Sequence, residues 1–269
     1  MNPSPSVEQA LRLPLRELPL TQPLLWLQRG LSDFRACPFP GLVHGFLMWA
    51  FGISLFTLAG GYFWLLAGAF SGFLLVAPVV ATGLYAVSRE RAMGGRPKLS
   101  TALRQWQPRH RALVAFGVLL VVFGLLLALA GTGWVLTSAA LITAFSPSPV
   151  QSPEDFLRLV VLARHGWLFE LWLLLGAVLA APVFASSVVS IPLLLDRKVG
   201  VWTAVLTSWR VVLLQPGLMA VWAGLIMVLT GLAMLPMLVG LIPILPVLAH
   251  ASWHAYTDLV NVSSLERAD

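Results

Sequence analysis

The sequence predicts an all-α polytopic membrane protein with six transmembrane helices, arranged as three repeated units of interfacial helix plus helical hairpin. Three observations carry that expectation. Hydrophobic residues make up 58% of the 269 and charged residues only 10%, against about 25% charged in an ordinary soluble domain. So little charge cannot cover a water-exposed surface, and the mean hydropathy is +0.86. The apolar residues also gather into runs of the length a bilayer core demands, about 20 residues each. Finally, the basic residues fall almost entirely on one side of those runs.

In chain order, residues 1–22 carry Pro3, Pro5, Pro14 and Pro19 and are expected to be a flexible cytoplasmic tail. Residues 23–260 form the six-span membrane domain, and 261–269 a second cytoplasmic tail. Residues 23–37 mix apolar and charged positions as a short interfacial helix does, and Pro38 and Pro40 end it. The first span covers 42–60, turns at Gly60-Gly61, and returns as 62–87. A third covers 112–134 with Gly131-Thr-Gly133 at the membrane exit, leaving 135–145 as interfacial or broken helix. The fourth covers 167–195, stopped by Asp196-Arg-Lys198. An interfacial helix at 199–211 precedes the last pair, 213–234 and 238–257.

With the N-terminus inside, 15 of the 17 basic residues lie on the inner side, and only Arg158 and Arg164 lie outside. Acids split 8 inside to 3 outside, so the asymmetry rests chiefly on Lys and Arg. Both termini are therefore expected to be cytoplasmic. The formal charge of +6 reads as this positive-inside bias, and no nucleic acid partner is expected. The single cysteine, Cys37, excludes an internal disulfide and a cysteine metal cluster. The longest apolar run before residue 38 is Leu24–Leu27, shorter than a signal peptide needs, so the first span is expected to direct insertion.

An internal echo supports the repeated unit. The pattern Leu-x-x-(Phe/Trp)-(Arg/Gln) occurs at Leu31–Arg35, Leu103–Gln107 and Leu206–Arg210, each followed by a proline. Each even-numbered span carries Pro-Val-x-Ala, at Pro78, Pro182 and Pro246. Repeats of this kind are common in membrane bundles.

Four residues after those prolines stand Thr82, Ser186 and His250, with Tyr85, Ser190, His254 and Asp258 close by. These seven form a candidate polar vestibule, or interhelical bonds that glue the bundle. His250, His254 and Asp258 recur every four residues and share one helix face, so Asp258 could orient His254 in a relay. Two histidines are too few for a metal, and no metal or other cofactor is expected. The stretch Arg89, Arg91, Arg96, Lys98, Arg104, Arg109 and Arg111 is expected to anchor the chain to anionic lipid headgroups. No phosphate loop, zinc-protease motif or nucleophile elbow occurs. No catalytic residue is therefore assigned, and an enzyme is not expected.

The chain resembles the bacterial integral membrane proteins grouped as domain of unknown function 2189. The matching pieces are Trp26–Arg35, Gly72–Glu90, Ser190–Arg197 and His250–Val260. That resemblance implies a six-span protein of the bacterial inner membrane without an established activity. The functional expectation is a structural, assembly or regulatory partner of other membrane components. The alternative is a small-solute transporter or channel using the vestibule, and a weaker one is a haem- or metal-associated component.

Overall fold

A computed structural model describes residues 5–59, 81–104, 129, 132–163 and 167–268. The elements in order are α1 (Pro5–Arg12), α2 (Gln22–Ala36), α3 (Pro38–Ala59), α4 (Thr82–Ala92) and α5 (Leu99–Arg104). They continue with α6 (Thr132–Phe145), α7 (Pro153–Phe156), which runs into a π turn at Leu157–Val161, and α8 (Leu168–Ser187). The last are α9 (Ser190–Asp196), α10 (Val201–Leu214), α11 (Pro216–Met234) and α12 (Leu241–Leu259). Among the described residues the only strand-like pairings are isolated bridges, Leu15 with Val260 and Arg197 with Arg267. The fold is all-helical.

Among the described residues, three helical segments are long and apolar enough to cross a membrane: Pro38–Thr57, Leu168–Asp196 and Pro216–Met234. These are the expected first, fourth and fifth spans. Residues 60–80 and 105–128, which hold most of the expected second and third spans, lie outside the described residues. The expected sixth span is α12, whose C-terminal half is too polar to join those three. Residues 135–145 belong to α6, a single helix that begins before the expected membrane exit at Gly133.

Prolines set the joints. Cys37 leaves the helical region (φ −140°, ψ 70°) between α2 and α3, and Gln215 does the same (φ −129°, ψ 56°) between α10 and α11. In both places the next residue is a proline that opens the following helix, where its missing N–H costs nothing. The fourth span breaks at Val188-Val189, and Pro192, lacking an N–H, sits in the first turn of α9. The Val189 N–H is taken up by Ser208 Oγ at 3.1 Å.

The chain divides into two compact units. The first comprises Met1–Phe51, Ala77–Leu119 and Phe184–Asp269. Its centre is α12, packed against α2, α4, α9 and α11. Small residues bring the helices close. A Cβ on Gly30 of α2 would stand 2.6 Å from the Val247 carbonyl of α12, and one on Gly45 of α3 would collide with the Ile242 carbonyl. In the second unit, Gly52–Val76 and Leu120–Val183, Ile142, Val150, Val160 and Leu168 form the core. Trp172 joins it, donating to Ser138 Oγ at 2.6 Å and meeting Trp134 at a tilt, ring centroids 4.9 Å apart.

Residues 5–18 pack against the fold. They form α1 on α10, bury Ala10 and Leu13, and are pinned by Arg210, whose guanidinium donates to the Ala10 and Leu13 carbonyls. Gln215 closes the segment from both sides, accepting from the Leu18 N–H and donating to the Arg16 carbonyl. Arg16 N–H then reaches the Leu259 carbonyl and Asn261 N–H the Pro14 carbonyl, both at 3.0 Å.

Candidate functional site

The polar residues of the first unit converge on one carboxylate. Asp33, on the inward face of α2, is buried. Its Oδ2 accepts from Ser88 Oγ of α4 at 2.7 Å and from His254 Nε2 of α12 at 2.9 Å. Its Oδ1 accepts from Arg91 of α4 at 2.8 Å. Burial raises the pKa of such a carboxylate, but the bonds from His254 and Ser88 outweigh it and leave Asp33 below the usual carboxylate range.

The proton inventory fixes the rest. Ser88 has one hydroxyl hydrogen and gives it to Asp33, so its oxygen is the acceptor for His250 Nδ1 at 2.7 Å. His250 thus carries its proton on Nδ1, and its buried Nε2 accepts no bond from any described residue. The order His250, Ser88, Asp33 runs opposite to a nucleophilic triad, in which the serine proton goes to the histidine. Ser88 is also only 1% exposed. The arrangement therefore ties α2, α4 and α12 together and does not activate Ser88.

Two further carboxylates lie along α12. Asp258 accepts from Gln22 (2.8 Å), Trp26 Nε1 (3.0 Å) and Arg29 (2.9 Å), all from α2. Asp196, ending α9, accepts from Tyr256 at 2.9 Å and from Arg197 at 2.9 Å. The C-terminal tail docks beside it. Ala268 N–H bonds the Asp196 carbonyl, and Arg89 donates to the carbonyls of Leu195 (2.7 Å) and Ala268 (3.1 Å).

Of the seven expected vestibule residues, His250 and His254 do meet, through Asp33. Asp258 does not orient His254; it clamps α2 instead, and Asp33 takes the orienting place. Tyr85 is buried and bonded to Ser252. Ser190 bonds the Ser186 carbonyl, and Ser186 Oγ accepts from Trp209 Nε1 at 3.0 Å. Thr82 is buried on α4. Two depressions, of about 250 and 380 Å³, lie along α1 and the residues after it. His44 turns its Nδ1–H to the Pro40 carbonyl of its own helix at 2.8 Å. Among the described residues no three His, Cys, Asp or Glu side chains are placed to share a metal ion.

The basic stretch splits in two. Arg89 and Arg91 are spent inside the fold, Arg91 also donating to the Ser32 carbonyl at 2.7 Å. Arg96, Lys98 and Arg104 are exposed, and Arg109 and Arg111 lie outside the described residues. Asp33, Ser88 and Arg91 are the site residues that spacing alone did not bring together. The signal for Asp33 was weak: an acid in an otherwise basic interfacial segment.

A family model described as "Predicted integral membrane protein (DUF2189)" matches residues 65–196. Over that stretch the chain is similar to the family. The DUF2189 match takes in Ser88, Arg91 and Asp196, whereas Asp33, His250, His254 and Asp258 fall outside it. No curated protein matches the chain, and no solved structure does.

Proposed function

We propose that the chain is a six-span protein of the bacterial inner membrane with both termini in the cytoplasm. Its role is that of a structural, assembly or regulatory partner of other membrane components, seated among anionic lipids. The observation that carries this reading is the use of the polar side chains at the helix ends. They bond one another across α2, α4, α9 and α12 (His250–Ser88–Asp33–His254, Tyr256–Asp196, Asp258 with α2), where a conduit would need them facing a cavity. A bundle closed in this way presents its surfaces, not its interior, to whatever it serves.

The helix contacts support three repeated units. Each interfacial helix packs on the even-numbered element of the preceding unit: α2 on α12, α5 on α4, α10 on α9. The even elements α4, α9 and α12 also touch pairwise. Such cyclic pairing closes a ring of three, and the matching joints at Cys37 and Gln215 agree with it.

One observation favours the solute-carrier alternative, the unpartnered Nε2 of His250. Photo-cross-linkers at exposed Trp202 and Leu213 in native membrane, read by quantitative mass spectrometry, decide between the two. A stoichiometric membrane protein captured at both positions supports the partner role. Capture of lipid alone, together with solute flux through the purified chain in liposomes, overturns it.

A further inference from the structure

We propose that a basic rim made of Arg35, Arg96 and Lys98 binds the headgroup of an anionic phospholipid. Its acyl chains then lie along the outer face of α3. The proposal rests on the membrane reading above and gives the lipid contact a definite place.

The rim forms where the end of α2 meets the loop before α5. Cys37 Sγ donates to the Pro97 carbonyl at 3.1 Å and joins the two segments. Arg35 stands two residues before Cys37, while Arg96 and Lys98 flank Pro97, so three cations lie within two residues of one contact along the chain. All three side chains are exposed, and none has an acid or hydrogen-bond partner among the described residues. That sets them apart from Arg89 and Arg91 of the same basic stretch, which are consumed by carbonyls and by Asp33. Glu90, in the last turn of α4 with its side chain against Gly95, is the one acid between residues 88 and 111, so positive charge stays in excess.

The apolar half of the site starts two residues on. Phe39, Leu42 and Phe46 are all exposed, and their spacing of three and then four puts them on one face of α3. Only 22% of the apolar window of this helix is buried inside the fold. A headgroup phosphate at the rim meets guanidinium forks that match its oxygens in pairs and an ammonium point charge. Basic residues beside a membrane surface favour lipids of net negative charge over zwitterionic ones. A free phosphate would use the cations but leave the Phe39–Phe46 stripe without a role.

Native mass spectrometry of the full chain in detergent, titrated with phosphatidylglycerol and with phosphatidylcholine, tests the site. Wild type should retain phosphatidylglycerol preferentially, and R35Q/R96Q/K98Q should weaken that binding by about tenfold, to the level of phosphatidylcholine. The double variant R96Q/K98Q should fall between, and R158Q, in the connection after α6, should bind as wild type. Equal retention of both lipids, or unchanged phosphatidylglycerol binding by the triple variant, overturns the proposal. So does an equal loss in R158Q, which would reduce the effect to net charge. Displacement of the lipid by millimolar inorganic phosphate also overturns it, since it would show a soluble-anion site. None of these results depends on whether a protein partner is captured at Trp202 and Leu213.

Discussion

His254 Nε2 stands 2.9 Å from Asp33 Oδ2 across 221 residues of sequence. The bond fastens α12 to α2, and the same carboxylate holds α4 through Ser88 and Arg91. Replacing Asp33 with Ala leaves a buried hydroxyl, an imidazole and a guanidinium without their acceptor. Losing one partner of a buried charge pair costs about 3 kcal/mol or more. D33A should therefore lower the thermal midpoint in detergent far more than substitution of exposed Glu266. Equal midpoints for the two variants would remove Asp33 from the centre of the fold.

The same carboxylate sets an acid limit. Its folded pKa lies below the unfolded value of 3.8, so the unfolded chain binds the extra proton as pH falls. The stability Asp33 contributes is thus complete above about pH 4 and is lost as pH drops through the folded value. Midpoints of wild type and D33N measured from pH 6 to pH 3 should converge at the acid end. A gap that stays constant with pH would contradict the ionised state assigned to Asp33.

Close approach of α2 to α12 predicts asymmetric effects of glycine substitutions. The Cβ of G30A would meet Val247 O at 2.6 Å and Ala251 N at 2.7 Å, backbone that cannot rotate away. Overpacking of this kind costs about 1–3 kcal/mol. G224A on α11 meets nothing within 4 Å and should be neutral or gain about 0.5–1 kcal/mol from its better helix propensity. Urea or thermal midpoints of the pair in one detergent check the contrast.

Topology can be read with single cysteines. Burial, with Glu90, pushes the Cys37 thiol pKa up, opposed in part by Arg91, and the thiol is bonded to the Pro97 carbonyl. Cys37 should react slowly with maleimide and give a low background. R158C should then label from outside intact cells, while S263C should label only after the membrane is opened. Labelling of both from one side would refute the three spans, an odd number, expected between the two positions.

Arg89 predicts a latch on the C-terminal tail. Its bonds to Leu195 O and Ala268 O hold the segment whose amides pair as Lys198 N–H with Glu266 O and Ala268 N–H with Asp196 O. In R89Q the hydrogen-exchange protection of Lys198 and Ala268 should fall roughly tenfold, equivalent to about 1.4 kcal/mol. Protection at Tyr256, in the middle of the packed helix, should persist.

The sequence made the helical, membrane character of the chain legible because lipid demands long apolar runs that composition cannot hide. Prolines at 38 and 216 and the Asp196-Arg-Lys198 stop marked true helix boundaries, since a missing N–H or a charge acts locally. The tails were less legible. Residues 5–22 carry three prolines and no long apolar run, yet Arg210 and Gln215, about two hundred residues on, supply the bonds that seat them.

The sequence by itself determined where the apolar helices run and that His250, His254 and Asp258 share one face of α12, because 3.6-residue periodicity is a property of the local chain. Tertiary packing decided what each of them meets. Asp258 turned to Gln22, Trp26 and Arg29, and His254 turned to Asp33, because Gly30 lets α2 lie directly on α12 and places Asp33 opposite His254. Hydrogen-bond partners separated by more than two hundred residues are set by which helices touch, and no local pattern encodes that.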